Sequence, residues 1–109
     1  MTPTISYVLL TIAIASEVIA TSALKASDGM TRLVPGVVVV AGYALAFYLL
    51  ALTLRTMPVG FVYGVWSGLG VVGVALVGIA LFDEAFNGVK LAGVVLVVAG
   101  VILLEHGSH

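Results

Sequence analysis

The segment that decides the fold is Thr56–Phe82, TMPVGFVYGVWSGLGVVGVALVGIALF, a run of 27 residues without a charge. At about 1.5 Å per residue, a helix of this length exceeds the roughly 30 Å hydrocarbon core of a bilayer. Its apolar residues do not alternate with polar ones, as they would in a lipid-facing β-strand. The segment therefore predicts a membrane-spanning α-helix.

Three further apolar segments appear when the chain is cut at its charged residues. Pro3–Leu24 carries one charge, Glu17, and Leu33–Leu54 carries none. The last segment, Leu91–Leu104, has only 14 residues, so it spans a bilayer only if it starts near Phe86 and Lys90 extends its amine to the surface. The sequence thus predicts an all-α integral membrane protein with helices at 3–24, 33–54, 58–82 and 86–104, in a single domain, 1–109.

The composition excludes several other classes of protein. Of the 109 residues, 62% are hydrophobic and only 8% are charged, whereas a soluble domain has about 25% charged residues. Four Lys and Arg residues cannot form the basic stripe of a nucleic-acid binder. The chain has no cysteine and offers no metal-ligand cluster, nucleophile–base pair or phosphate loop. We therefore expect no metal, no cofactor and no enzymatic activity.

The basic residues at the ends of the spans bear on orientation. The first and third loops carry Lys25, Arg32 and Lys90, and the second loop carries Arg55. This is a weak positive-inside bias. It fits a chain that inserts in either orientation, and it also fits a single orientation with the first and third loops in the cytoplasm. His106 and His109 are expected in a solvated C-terminal tail.

Glu17 is the most informative residue, because it places a carboxyl group about one turn from the middle of the first span. An acidic side chain at a helix centre costs about 2.5–3.5 kcal/mol to insert. No Lys, Arg or His lies in the interior of another span. Glu17 is tolerable if it is protonated, or if it is ionised and faces a cation or water. A carboxylate that alternates between these states indicates a proton-coupled cation carrier, and the alternative is a neutral Glu that bonds a neighbouring helix.

The residues around Glu17 favour a binding site. Positions three or four apart on its helix face are Tyr7, Leu10, Ala13, Ile14, Thr21 and Leu24. Ala13 leaves room beside the carboxylate, and Thr21 can donate a hydrogen bond to it.

Aromatic residues lie deep in two other spans. Trp66 is near the middle of the third span, far from the interface where Trp usually lies, so it is better placed to line a cavity. Tyr63 is one turn away, and Tyr43 is central in the second span. Because aromatic faces attract cations, a carboxylate with such neighbours indicates a lipophilic or quaternary cation. Simple packing remains the alternative for each tyrosine.

Glycines suggest close helix contacts and a bend. The third span has them at positions 60, 64 and 68, a spacing that lets helix backbones approach. Gly68 and Gly70 could instead let the helix bend, because glycine lowers helix propensity by about 1 kcal/mol. Gly93 and Gly100 form a candidate seam between two copies of the fourth span. Since transporters commonly use two related halves, a chain of four helices predicts a dimer in which two Glu17 residues titrate together.

Four stretches closely resemble the small multidrug resistance family. They are Ala15-Ser-Glu17-Val-Ile-Ala-Thr21, Leu24-Lys25, Gly29-Met-Thr-Arg32-Leu and Pro58-Val-Gly60-Phe-Val-Tyr63-Gly-Val-Trp66-Ser67-Gly68-Leu-Gly70. The resemblance implies a multi-pass protein of the bacterial inner membrane that exchanges protons for cationic compounds by alternating access. It also implies an antiparallel homodimer of oppositely inserted chains.

The resemblance assigns roles to particular residues. Glu17 matches the shared proton and substrate site. The implied substrate-binding residues are Tyr7, Leu10, Ala13, Thr21, Tyr43, Tyr63, Trp66 and Ser67. Gly68 and Gly70 match a bendable segment, and Gly93 and Gly100 match the dimer seam.

The branch of the family is indicated by Ala20. The guanidinium-exporting branch has Trp at this position, so the run Glu17-Val-Ile-Ala-Thr21 resembles the quaternary-ammonium branch. Gly64 stands where Ala is usual, which leaves the substrate range open. A guanidinium exporter, a rotary proteolipid and a non-transporting membrane assembly protein are the alternatives, although a proteolipid usually carries its acid on the second of two helices.

Overall fold

The computed structural model describes residues 2–107, and this part of the chain forms four α-helices without a β-strand. They are α1 (Pro3–Ala26), α2 (Leu33–Thr53), α3 (Val59–Leu81) and α4 (Gly88–Gly107). Each is long and apolar enough to cross a membrane. The predicted all-α architecture with four membrane-spanning helices is confirmed.

The observed helix ends follow local hydrogen bonding. α1 begins with Pro3 in its first turn, where the Thr2 hydroxyl accepts a hydrogen bond from the backbone N–H of Ile5 at 3.2 Å, as an N-cap residue does. α3 ends as Asp83 takes a positive φ of 56° and the N–H groups of Phe82 and Glu84 both donate to the carbonyl oxygen of Gly78.

The bounds of the fourth span differ from the predicted 86–104. The side chain of Asn87 accepts a hydrogen bond from the N–H of Lys90 at 3.0 Å, so the helix starts at Gly88 and not at Phe86. It continues to Gly107, because a charged residue such as Glu105 does not end a helix that has reached water. His106 therefore lies in the last helical turn, with its side chain exposed, and His109 lies outside the described residues.

The chain divides into two units, one ending at Met57 and the other beginning at Pro58. In the first unit α1 packs along α2, and in the second α3 packs on α4. The buried apolar residues of the first unit are Leu10, Ala13, Ile14, Ala20, Val39, Ala46 and Leu49. That both units form a single domain, 1–109, stays a prediction.

Hydroxyl groups form hydrogen bonds near both ends of the α1–α2 pair. At one end the hydroxyl of Ser6, which is fully buried, lies 2.6 Å from that of Thr56. At the other end the hydroxyl of Ser27 accepts from the N–H of Met30 at 3.0 Å and donates to the carbonyl oxygen of Leu24 at 2.6 Å. The Ser6–Thr56 bond joins the start of α1 to the turn after α2, whereas the Ser27 bonds shape the turn between the two helices.

The α3–α4 contact depends on glycine. A methyl group added at Gly64 would overlap the side chain of Leu104, and one added at Gly68 would lie 2.7 Å from Cγ2 of Val101. Carbon atoms in contact are normally about 3.5–4.0 Å apart. Gly64 and Gly68 thus allow close packing of α3 on α4, as one of the two interpretations predicts, whereas Gly60 takes no part in this contact among the described residues.

Candidate functional site

The carboxyl group of Glu17 lies on the half-buried face of an unbroken α1. Thr21, one turn later, donates a hydrogen bond from its hydroxyl to Oε1 of Glu17 at 2.8 Å. The bond predicted from the four-residue spacing is therefore present. A hydrogen bond donated to a carboxylate stabilises its ionised form.

Tyr43 of α2 joins this pair. Its phenol oxygen lies 2.6 Å from the hydroxyl oxygen of Thr21. A threonine hydroxyl has one hydrogen, and Thr21 gives it to Glu17, so Tyr43 is the donor in the second bond. The result is a hydroxyl chain, Tyr43 to Thr21 to Glu17, in which each group donates toward the carboxyl.

The sequence did not reveal two features of this arrangement. The link from Tyr43 to Thr21 crosses between helices, and sequence spacing does not give the register of one helix against another. The ring of Tyr43 also stacks on that of Phe47, with centroids 6.2 Å apart and planes at 25°. The four-residue separation of these two aromatics was the signal that could have found the stack.

The other predicted residues of α1 differ in exposure. Leu10 and Ala13 are buried, and Tyr7 is half-buried. Ala13 has no exposed surface, so in this structure it fills packed space. Tyr7 lines a shallow groove of about 400 Å³ together with Thr4 and Val8. Contact of these residues with a substrate stays a prediction.

The predicted residues of the second unit share one helical face. Trp66 and Ser67 lie three and four positions after Tyr63 on α3, and this spacing places each of them beside Tyr63. Tyr63 is 69% exposed, whereas Trp66 and Ser67 are half-buried. That this aromatic face and Glu17 line one chamber stays a prediction.

The predicted hinge and seam occupy different surroundings. α3 runs as one helix through Gly68 and Gly70, so bending there stays a prediction. Methyl groups added at Gly93 and Gly100 would meet nothing within 4 Å, and α4 has no buried residue among those described. This helix therefore presents an open, small-residue surface.

Among residues 2–107, no group of three or more His, Asp or Glu side chains is placed to hold a metal ion. The candidate site around Glu17 consists of one carboxyl group, the hydroxyl groups of Thr21 and Tyr43, and an aromatic pair on α2. Such a carboxyl group binds a proton or a positive charge.

Comparison with known proteins assigns the chain to a class. The family model of the Small Multidrug Resistance protein matches residues 5–97. The chain is 50% identical over 100 residues to the quaternary ammonium compound-resistance protein QacF of Klebsiella aerogenes, covering 92% of this chain and 91% of the relative. A multidrug transporter of Pseudomonas aeruginosa is 46% identical over the same shares. The multidrug resistance protein EbrA of Bacillus subtilis is 46% identical over 93% of this chain and 96% of its own length.

The fold and the matches together define a class of membrane transporter, not an enzyme. The chain belongs to the small multidrug resistance family, as its motifs predict. It is a multi-pass protein of the bacterial inner membrane.

Proposed function

We propose that this chain is a proton-coupled antiporter that exports lipophilic and quaternary ammonium cations, with Glu17 as the group shared by proton and substrate. The observation that carries the proposal is the hydroxyl chain, which supports an ionised carboxyl inside an apolar span. The relatives named for multidrug and quaternary ammonium resistance support efflux of such compounds.

The chemistry of the substrate suits the residues. A quaternary ammonium ion has no N–H to donate, so it is recognised by charge and by aromatic faces. Glu17 supplies the negative charge, and the stacked rings of Tyr43 and Phe47 supply an aromatic surface on α2. Tyr63 and Trp66 are proposed to supply another. Tyr7, Leu10, Ala13, Thr21 and Ser67 are proposed as the remaining lining.

Coupling follows from competition at one carboxyl group. A proton on Glu17 removes the charge that holds the cation, and a bound cation disfavours protonation. Linkage between two ligands is reciprocal. The factor by which protonation of Glu17 weakens cation binding therefore equals the factor by which a bound cation weakens proton binding. Glu17 then releases its proton to the cytoplasm and binds the cation there. A proton that enters from outside displaces the cation from Glu17.

Transport also requires a second copy of the chain. We propose an antiparallel homodimer whose copies meet at Gly93 and Gly100 and alternate the opening of the chamber. The open surface of α4 supports this, because no described residue lies within 4 Å of a methyl group added at either glycine. Gly68 and Gly70 are the proposed hinge. The few basic loop residues are compatible with insertion in both orientations.

The test is a titration of purified protein in detergent with tetraphenylphosphonium, measured against pH. Wild-type affinity is expected to rise with pH as Glu17 ionises, and Glu17→Gln is expected to abolish binding. Glu105→Gln, which removes a carboxyl group near the end of α4, is the matched control and is expected to behave as wild type. Wild-type-like binding by Glu17→Gln would overturn the proposal.

The same assay separates the branches of the family. Guanidinium is expected not to displace tetraphenylphosphonium. Ala20 is fully buried and offers a methyl group where the guanidinium-exporting branch has an indole. Displacement by guanidinium at comparable concentration would favour the guanidinium exporter instead.

A further inference from the structure

The closest approach of α1 and α2 is made possible by Gly42. A methyl group added there would lie 2.8 Å from Cβ of Ala20 and 3.2 Å from the carbonyl oxygen of Ser16. Both are atoms fixed to the backbone, so neither can rotate away. Since carbon contacts are about 3.5–4.0 Å, an alanine at this position would push the helices apart by roughly 1 Å.

This contact lies next to the hydroxyl chain on both helices. Gly42 is followed by Tyr43, and Ala20 is followed by Thr21, so the tight contact and the interhelical hydrogen bond are made by consecutive residues. The bond is short, at 2.6 Å. Moving the helices apart by roughly 1 Å would take it beyond the range of about 2.5–3.0 Å for O–H···O bonds.

We propose that Gly42 is a positioning residue: by having no side chain it keeps the Tyr43 phenol on Thr21, and it thereby sets the pH at which Glu17 exchanges a cation for a proton. The inference rests on the function proposed above. In this proposal Gly42, which is not one of the substrate-lining residues, controls the ionisation of the Glu17 carboxyl group on the neighbouring helix.

The direction of the effect follows from the hydrogen bonds. Tyr43 donates to Thr21, which makes Thr21 a stronger donor to Glu17, and donors stabilise the ionised carboxylate. Without the phenol the protonated form of Glu17 becomes more stable relative to the ionised form, so a higher pH is needed for the cation to bind. The midpoint of binding against pH is therefore expected to move upward in Gly42→Ala.

Gly42→Ala removes none of the other titratable or charged groups on the helices around Glu17, and of these it displaces only Tyr43. On α1 the nearest is Lys25, eight residues away or about 12 Å along the helix. On α2 they are Tyr43, Tyr48 and the arginines at its two ends, Arg32 and Arg55. In the proposed dimer the Glu17 of the second copy is a further group, and both copies carry each substitution.

The experiment measures tetraphenylphosphonium binding against pH for purified full-length variants. Gly42→Ala is expected to raise the midpoint by roughly half a pH unit, the size expected for losing the support of one neutral hydrogen bond. Tyr43→Phe, which removes only the phenol hydroxyl, is expected to raise it by a similar amount. The double variant is expected to match Tyr43→Phe, because Gly42 acts through that hydroxyl.

Two further variants separate positioning from packing. Ala20→Gly added to Gly42→Ala removes the atom that the new methyl meets at 2.8 Å and leaves the 3.2 Å contact with the carbonyl oxygen of Ser16, so it is expected to reverse most of the shift. Gly36→Ala is the matched control on the same helix, since its added methyl meets only Cε of Met30 at an ordinary 3.7 Å. Its midpoint is expected to equal that of the wild type.

The outcomes distinguish this proposal from the one it rests on. A pH-independent wild type, or a Glu17→Gln variant that binds normally, would overturn the proposed function and this assignment with it. With a normal wild-type profile, an unshifted Gly42→Ala, or an equal shift by Gly42→Ala in the Tyr43→Phe background, overturns the role of Gly42 alone. If Gly42→Ala is not monodisperse, Thr21→Val breaks the same bond from α1, and an unshifted midpoint there overturns the assignment as well.

Discussion

Thr21 is the centre of the hydroxyl chain, and replacing it with valine tests the chain most directly. Valine has nearly the shape of threonine but neither donates nor accepts a hydrogen bond. The substitution removes the 2.8 Å bond to Glu17 and the 2.6 Å bond from Tyr43 together. It leaves the carboxyl group and the phenol in place.

The expected size follows from the kind of bond that is lost. A hydrogen bond to a charged group contributes about 1.5–3 kcal/mol, and each pH unit corresponds to about 1.4 kcal/mol. Thr21 and Glu17 are only half-buried, so the lower part of the range applies. The bond favours the ionised carboxyl, so its loss raises the midpoint of cation binding by about 1 pH unit.

The assay is the tetraphenylphosphonium titration against pH. Far above the midpoint the affinities of Thr21→Val and wild type are expected to converge, because Glu17 is then ionised in both. Ser22→Ala is the matched control, since the hydroxyl of Ser22 bonds the carbonyl oxygen of Val18 in its own helix at 2.7 Å. Thr21→Ser, which retains a hydroxyl, is expected to keep most of the wild-type profile.

Two results would refute this reasoning. An unshifted midpoint in Thr21→Val would mean that the hydroxyl does not support the ionised form. An equal shift in Ser22→Ala would mean that any loss of a hydroxyl from α1 has the same effect, and the chain would have no special role.

Three other predictions address coupling, packing and assembly. Glu17→Gln is expected to abolish the proton release that follows addition of tetraphenylphosphonium to weakly buffered protein, and retained release would show that another group is coupled. Gly68→Ala, whose methyl would lie 2.7 Å from Cγ2 of Val101, is expected to destabilise the protein by about 1–3 kcal/mol in thermal unfolding in detergent. Gly60→Ala, whose methyl would meet nothing within 4 Å, is its control, and equal loss in both would contradict the packing argument. Gly100→Leu is expected to convert dimers to monomers with unchanged helix content, measured by light scattering and circular dichroism, and an intact dimer would remove the proposed seam.

The sequence predicted the helices well because the bilayer imposes a simple rule. Apolar runs of sufficient length must be helical, since backbone groups in lipid have no other partners. The end of α1 lies two residues beyond the predicted one, and the fourth helix differs at both ends, by two and by three residues. The fourth helix starts where the side chain of Asn87 caps it. It ends beyond the apolar run because Glu105 and His106 are compatible with a helix. A hydropathy pattern detects neither feature.

The candidate site was predictable where it lies on one helix and not where it crosses between two. The four-residue spacing of Glu17 and Thr21 gave their hydrogen bond directly. The Tyr43 bond requires a particular register of α1 against α2, to which the Gly42 contact and the Ser6–Thr56 hydrogen bond contribute. Nothing in the periodicity of either helix specifies that register.

α4 packs on α3 along one side, and yet none of its described residues is fully buried. In the proposed dimer the remaining surface of α4 contacts a second copy, so the fraction of paired chains depends on their concentration in the membrane. Dilution of the protein into excess lipid then separates the copies while each helix persists. Expression level thereby sets how many molecules in the membrane are complete.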